Sequence, residues 1–196
     1  MQRTWANGTR RIVSCILGVL IILLLIAIDQ VSKYYFKDLY LEKGTTVVIR
    51  NFFSLTYTMN TGAAWSFLAG VSWAQTFFKV LTIISLILFM MFYVYALKKN
   101  YKWLQFSLVL IIAGTIGNFI DRIIMGGVID FLSFTFWGWS FPVFNFADCC
   151  LSVGVVMLII HYLFLDKDAV FKIKKNSDSH SNNNQEESEE NANGEV

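Results

Sequence analysis

Charge is what this sequence has least of. Only 15% of its 196 residues are Asp, Glu, Lys or Arg, against 56% hydrophobic ones, and mean hydropathy is +0.53. A soluble domain of this length carries nearer a quarter charged residues. A soluble globular fold is therefore excluded, and the chain reads as an integral membrane protein. The shortage is sharper in the body, because Glu186, Glu187, Glu189, Glu190 and Glu195 crowd the C-terminal end.

Histidine is nearly absent. His161 stands alone in an apolar stretch and His180 lies in a polar tail, so no His-rich metal cluster can form and no metal is expected. The three cysteines, Cys15, Cys149 and Cys150, lack metal-ligand spacing, and adjacent cysteines seldom bond each other. They read as small apolar residues of membrane helices, and no cofactor is expected. Lysines and arginines are scattered rather than gathered into a stripe, which excludes nucleic acid as a partner. No Ser/His/Asp or Ser/Lys arrangement stands out. No internal repeat or inverted helix pair of the kind many transporters carry is evident.

What is present is four apolar stretches. Residues 1–11 are polar and basic and form a short N-terminal segment. The charge-free run from Ile12 to Ile28 is about 17 residues, the short end of what crosses a bilayer. No small-x-small cleavage site follows it, so it is not a removable signal peptide; it predicts a first membrane helix over 12–35. Further helices are predicted over 73–97, 103–120 and 145–165. The membrane domain is thus 12–165, with long loops at 37–72 and 121–147. Beyond 166 the tail is first basic, then acidic, and from about residue 176 too polar to fold.

With the N-terminus inside, ten of the sixteen lysines and arginines fall on the cytoplasmic side and six on the other. That asymmetry predicts two cytoplasmic termini and two outward-facing loops. In the first loop, residues 45–49 and 52–58 are β-branched and aromatic around Arg50-Asn51, a strand–turn–strand pattern. Asn60 and Gly62 follow as turn formers, and the small Ala63 and Ala64 would let a ligand or backbone approach closely.

Four carboxylates sit in or near the predicted membrane region: Asp29, Asp121, Asp130 and Asp148. Ionisable groups there are costly and by default suggest function. Asp29 and Lys33 have the i, i+4 spacing of a helical ion pair, structural or chemical. Asn118, Asp121 and Arg122 share one helix face. Asp121 is expected to neutralise and orient Arg122, whose planar fork could alternatively hold a carbonyl or phosphate. Asp130 is alone in the apolar run Gly126–Leu132 and would tend to protonate. Asp148 stands three residues after Asn145, the spacing of a helix capping box, so it reads equally as cap or catalyst. Two acids arriving from opposite sides of one loop suggest a pair sharing a proton, one activating water and the other donating. A proton-coupled transporter would use intramembrane acids differently, spread through several spans, and is the alternative from another class. A purely structural helix bundle is the third.

Five blocks in order, Asp29-Gln30-x-x-Lys33, Asn60-Thr61-Gly62-Ala63-Ala64, Gly117-Asn118-x-x-Asp121-Arg122, Val128-x-Asp130-Phe131 and Phe144-Asn145-x-Ala147-Asp148, closely resemble the lipoprotein signal peptidase (signal peptidase II) family. The resemblance covers residues 29–154 and implies a four-helix, all-α membrane protein with a small extracytoplasmic β-sheet around 45–58 resting on the membrane. It implies a bacterial inner-membrane aspartyl endopeptidase acting on diacylglyceryl-modified prolipoproteins. Such an enzyme cuts before the lipidated cysteine and works as a monomer among membrane lipids. The matching positions make Asp130 and Asp148 the catalytic pair. Asn60, Gly62, Asn118, Arg122 and Asn145 match positions of substrate binding and site shape, and Asp29, Lys33 and Asp121 match supporting ones. The second outer loop would help cover the substrate.

Overall fold

The computed structural model describes residues 2–62, 71 and 73–166, with side chains from Gly8 onward. The expected role of Ala63 and Ala64 and the expected disorder of the tail fall outside these residues. The chain divides into two units, Met1–Ile159 and Ile160–Val196. In the second, the described residues form a π-helical segment, His161–Leu165, with His161 3.6 Å from Asp166.

Four helices long and apolar enough to cross a membrane occur among the described residues. Three of them are α1 (Gln2–Lys43), α2 (Ala74–Lys99) and α3 (Lys102–Ile124), and the fourth is the stretch Phe146–Leu165, whose first part is α4 (Phe146–Ile160). The central helix is α3, whose Leu104, Leu108, Ile111 and Ile112 are almost wholly buried. By contrast α1, α2 and α4 expose many apolar residues, among them Val31, Ile87 and Val156, as lipid-facing helices do. Close packing of α3 on α4 and on α1 depends on missing side chains. A Cβ at Gly114 would collide with the carbonyl oxygen of Ala147, and one at Gly117 would lie 2.5 Å from Asp29 Oδ2. Ser107 adds a bond, its hydroxyl donating to Gly154 O at 2.8 Å.

The first helix runs on to Lys43, past the span expected to end at residue 35. Charges at Lys37, Asp38 and Glu42 made this stretch read as loop. They are helix-compatible, however, and no glycine intervenes before Gly44, whose φ of +70° ends the helix. At 42 residues α1 is on the order of 60 Å long, about twice the hydrocarbon thickness of a bilayer. Its last turns run well past the charge-free apolar stretch 12–28. They carry Phe36 and Tyr40, four residues apart on one face, which stack on Phe131 (4.6 Å between centroids) and meet Tyr57 (5.8 Å).

Those partners belong to a four-stranded antiparallel sheet in the order β1 (Thr46–Ile49), β2 (Phe53–Asn60), β3 (Val128–Phe136), β4 (Trp139–Ser140). The expected first hairpin is present, with Asn51 at φ 60° in its turn. The sheet is larger than expected, because β3 and β4 come from the second loop, 121–147. The turn joining them is marked by Trp137 and Gly138, both at positive φ (48° and 83°), the geometry of a tight hairpin. In the register Thr58 faces Asp130, Met59 faces Ile129 and Asn60 faces Val128. Phe134 stacks on Phe53 and Phe144 (4.6 and 5.7 Å), tying the sheet to the segment that enters α4.

Candidate active site

The site forms where α1 and α3 meet the start of α4 beneath β3. The α4 N-terminus leaves backbone donors unsatisfied within its helix, and three side chains take up that role. Asn145 Oδ1 accepts from Asp148 N (3.0 Å), Asp148 Oδ2 accepts from Asn145 N (3.2 Å), and Asp29 Oδ1 accepts from Ala147 N (2.9 Å). The capping box read from the Asn145/Asp148 spacing is thus present, and α1 supplies a further cap.

Around Lys33 the polar groups close into a network. Its ammonium is fully buried and meets Asp29 Oδ2 at 2.8 Å, Asp121 Oδ2 at 2.9 Å and Asn118 Oδ1 at 3.0 Å. That is one acceptor for each ammonium proton, the condition under which a buried charge is tolerable. Asp121 also accepts from Gln30 Nε2 (2.9 Å) and Ile129 N (3.1 Å). The expectation that Asp121 neutralises Arg122 is corrected: both Asp121 oxygens are occupied by Lys33, Gln30 and β3. Arg122 instead donates to Gly62 O at 3.1 Å and lies over the Phe78 ring.

Two asparagines carry the network to two acids. Asn118 Nδ2 donates to Asp148 Oδ1 at 2.8 Å. Asn145 Nδ2 is shared among Asp130 Oδ1 (2.7 Å), Asn118 Oδ1 (3.1 Å) and Ile129 O (3.2 Å). Asn60 Nδ2 donates to Asp130 Oδ2 at 3.1 Å, and Asn60 Oδ1 accepts from Gly62 N at 3.0 Å, turning the chain out of β2. The donors that local sequence could not supply to Asp130 therefore come from Asn60 and Asn145.

Asp130 and Asp148 line one cavity of about 970 Å³. Asn60, Asn118 and Arg122 also border it, with Phe141, Pro142 and Phe144 on one side and Thr82, Thr115 and Leu151 toward the helices. The Asp130 carboxyl is pushed up to about 7, first by burial and then by the nearby Asp148 charge, while the bonds from Asn60 and Asn145 pull the other way. Near neutral pH this places a protonated acid beside a second carboxyl held by two N–H donors, an arrangement able to deliver and take up protons.

A model of the family described as signal peptidase (SPase) II matches residues 21–164. Lipoprotein signal peptidases of Staphylococcus aureus, among them those of strains JH9 and Newman, are 39% identical over 146 residues, which is 74% of this chain and 87% of theirs. The chain belongs to the signal peptidase II family. It is accordingly a multi-pass membrane protease. Two solved structures titled as bacterial membrane enzymes, obtained by the in meso method at 2.3 and 1.9 Å, share its fold. Their TM-scores are 0.63 and 0.60 at 35% and 37% identity, covering 81% and 78% of this chain and 93% and 94% of theirs.

All ten residues singled out in this family member thus meet around one cavity and its supporting network. Gln30 was missed as a contributor. It bridges Asp29 (3.2 Å), Gly117 O (3.1 Å) and Asp121, and its position one residue after Asp29 on the same helix was the available signal. The backbone of Ile129, which binds both Asp121 and Asn145, left no mark in side-chain chemistry.

Proposed function

We propose that this chain is an aspartyl endopeptidase that removes signal peptides from diacylglyceryl-modified prolipoproteins, cleaving before the lipidated cysteine. The observation that carries the reading is the joining of Asp130 and Asp148 through Asn145 on one cavity wall, with Asp130 raised to about 7. Family membership and the Staphylococcus aureus lipoprotein signal peptidases supply the substrate class.

In this mechanism Asp148 is the base and Asp130 the acid. Asp148 draws a proton from a water, whose oxygen attacks the scissile carbonyl carbon. Asp130 gives its proton to the carbonyl oxygen. The resulting diol collapses as Asp130 recovers a proton from one hydroxyl and Asp148 passes its proton to the departing cysteine nitrogen. The C–N bond breaks and both acids return to their starting states. Asn118 and Asn145 act as positioning residues, and Arg122 with Asn60 and Gly62 orients the substrate backbone. Asp29, Lys33 and Asp121 hold the frame.

The basic residues orient the chain with both termini in the cytoplasm and the sheet and cavity outside a bacterial inner membrane, where a monomer meets its lipidated substrate. Purified enzyme is expected to cut a diacylglyceryl-prolipoprotein and to leave the unlipidated precursor intact, with no change on adding a chelator. Asp130→Asn and Asp148→Asn each abolish cleavage; full activity with both replaced would sink the proposal.

A further inference from the structure

The cavity is bordered by four consecutive residues of one chain segment, Thr58, Met59, Asn60 and Thr61. Side chains alternate between the two faces of a strand, so one face alone cannot present Thr58, Met59 and Asn60 together. The cavity therefore also meets the backbone of β2 at Met59.

The direction in which that backbone points follows from Ile129. Its N–H goes to Asp121 Oδ2 (3.1 Å) and its C=O accepts from Asn145 Nδ2 (3.2 Å), so neither is turned toward β2. Ile129 is the antiparallel partner of Met59. Residues opposite each other in such a ladder either exchange both bonds or both turn them outward. Met59 thus aims its N–H and C=O away from β3. On that side β1 pairs with β2 only from Phe53 to Leu55, and no described residue takes up the Met59 groups. Toward the C-terminus the edge is closed off, because Gln75 donates to Thr61 O and Asn60 Oδ1 takes Gly62 N. Among the described residues this leaves one donor and one acceptor open, on a residue whose neighbour Asn60 binds Asp130.

We propose that the substrate segment flanking the scissile bond binds as an added strand on the open edge of β2, exchanging backbone hydrogen bonds with Met59. This rests on the peptidase reading above and specifies how its site takes a peptide. Hydrolysis requires the scissile segment to leave the helical conformation, which frees backbone donors and acceptors at the membrane boundary, where orphaned polar groups are costly. An exposed strand edge satisfies them irrespective of side chains. It leaves the side chains of alternate substrate residues to face the cavity, and the chain crosses from Met59 over the Asn60 side toward Asp130. One family member could thereby process many precursors that differ in sequence around the cut.

The test uses the full-length enzyme and a synthetic lipidated prolipoprotein peptide, N-methylated at one backbone amide at a time on both sides of the cut. One methylation next to the scissile bond is expected to raise KM about tenfold or more, since it removes a hydrogen bond and strands the Met59 carbonyl. The amides immediately before and after that position, which point the other way, are expected to tolerate methylation. A flat profile, or a loss without alternation, overturns strand addition while the cleaved parent peptide keeps the peptidase reading intact. A parent peptide that is not cut overturns both.

Discussion

Lys33 and Asn118 meet at 3.0 Å, the ammonium donating to the amide oxygen. That bond fixes which end of the Asn118 amide faces α1, and so leaves Nδ2 pointing at Asp148. A buried charge on α1 thereby aims a donor of α3 at an acceptor on α4.

Replacing Lys33 by Met should be among the most damaging changes outside the acid pair. It leaves Asp29 and Asp121 facing the same buried point without their cation, a situation that costs about 3–5 kcal/mol. Thermal unfolding in detergent is expected to show a large drop. Adding Asp29→Asn to that variant should recover part of it, whereas no recovery would argue against the charge as the cause.

Asn145→Ala separates cap from chemistry. Loss of the cap is expected to cost about 1 kcal/mol of stability. Loss of the bond to Asp130 should lower kcat about 100-fold, within the range a misplaced proton donor produces, with little change in KM. An unchanged kcat would remove Asn145 from the positioning of Asp130.

The Asp130 carboxyl has an ordinary value of 3.8 when exposed and about 7 in the fold. The folded state therefore binds its proton more tightly. This favours folding fully below about pH 4, and the contribution is lost as pH rises through 7. Asp130→Asn cannot ionise, so its stability relative to the parent should improve between pH 4 and 8, by up to about 4 kcal/mol. Melting temperatures of the two proteins across that range provide the measurement, and a constant difference would contradict the raised value. Cleavage by the parent enzyme is expected to decline above about pH 7 for the same reason.

Gly117→Ala places a methyl group against the Asp29 carboxylate. The buried group must shift, weakening both its pair with Lys33 and its cap on Ala147. Destabilisation of about 1–3 kcal/mol is expected, the usual cost of overpacking. Gly126→Ala provides a comparison at a glycine with open space but positive φ, so any loss there is conformational.

Much of the frame was legible in local spacing. The Asp29–Lys33 pair follows from i, i+4 geometry, the Asn145–Asp148 box from its own four residues, and the membrane spans from the apolar runs. The expected partner of Asp121 was wrong because spacing sees only its own helix. Arg122 was adjacent, while the true partner Lys33 arrives from another helix. Strand β3 was obscured because its run of Val, Ile, Phe and Leu reads as readily as an apolar segment holding one acid. The Trp137-Gly138 turn was the local cue that separates the two. Asp148 stayed undecided on spacing, and the structure gives it a cap bond and a place on the cavity together.

The overrun of α1 also gives the site a rotational phase. Asp29 and Lys33 touch the network below, and Phe36 and Tyr40 touch the sheet above, all on one rigid rod. Inserting a single residue between Lys33 and Phe36 would turn the upper pair by about 100° relative to the lower one. Every side chain of the cavity would still be present in the sequence, yet Asp130 would be carried on a sheet no longer indexed to Lys33. The helix thus acts as a camshaft, and the spacing along it is as much a part of the site as the acids themselves.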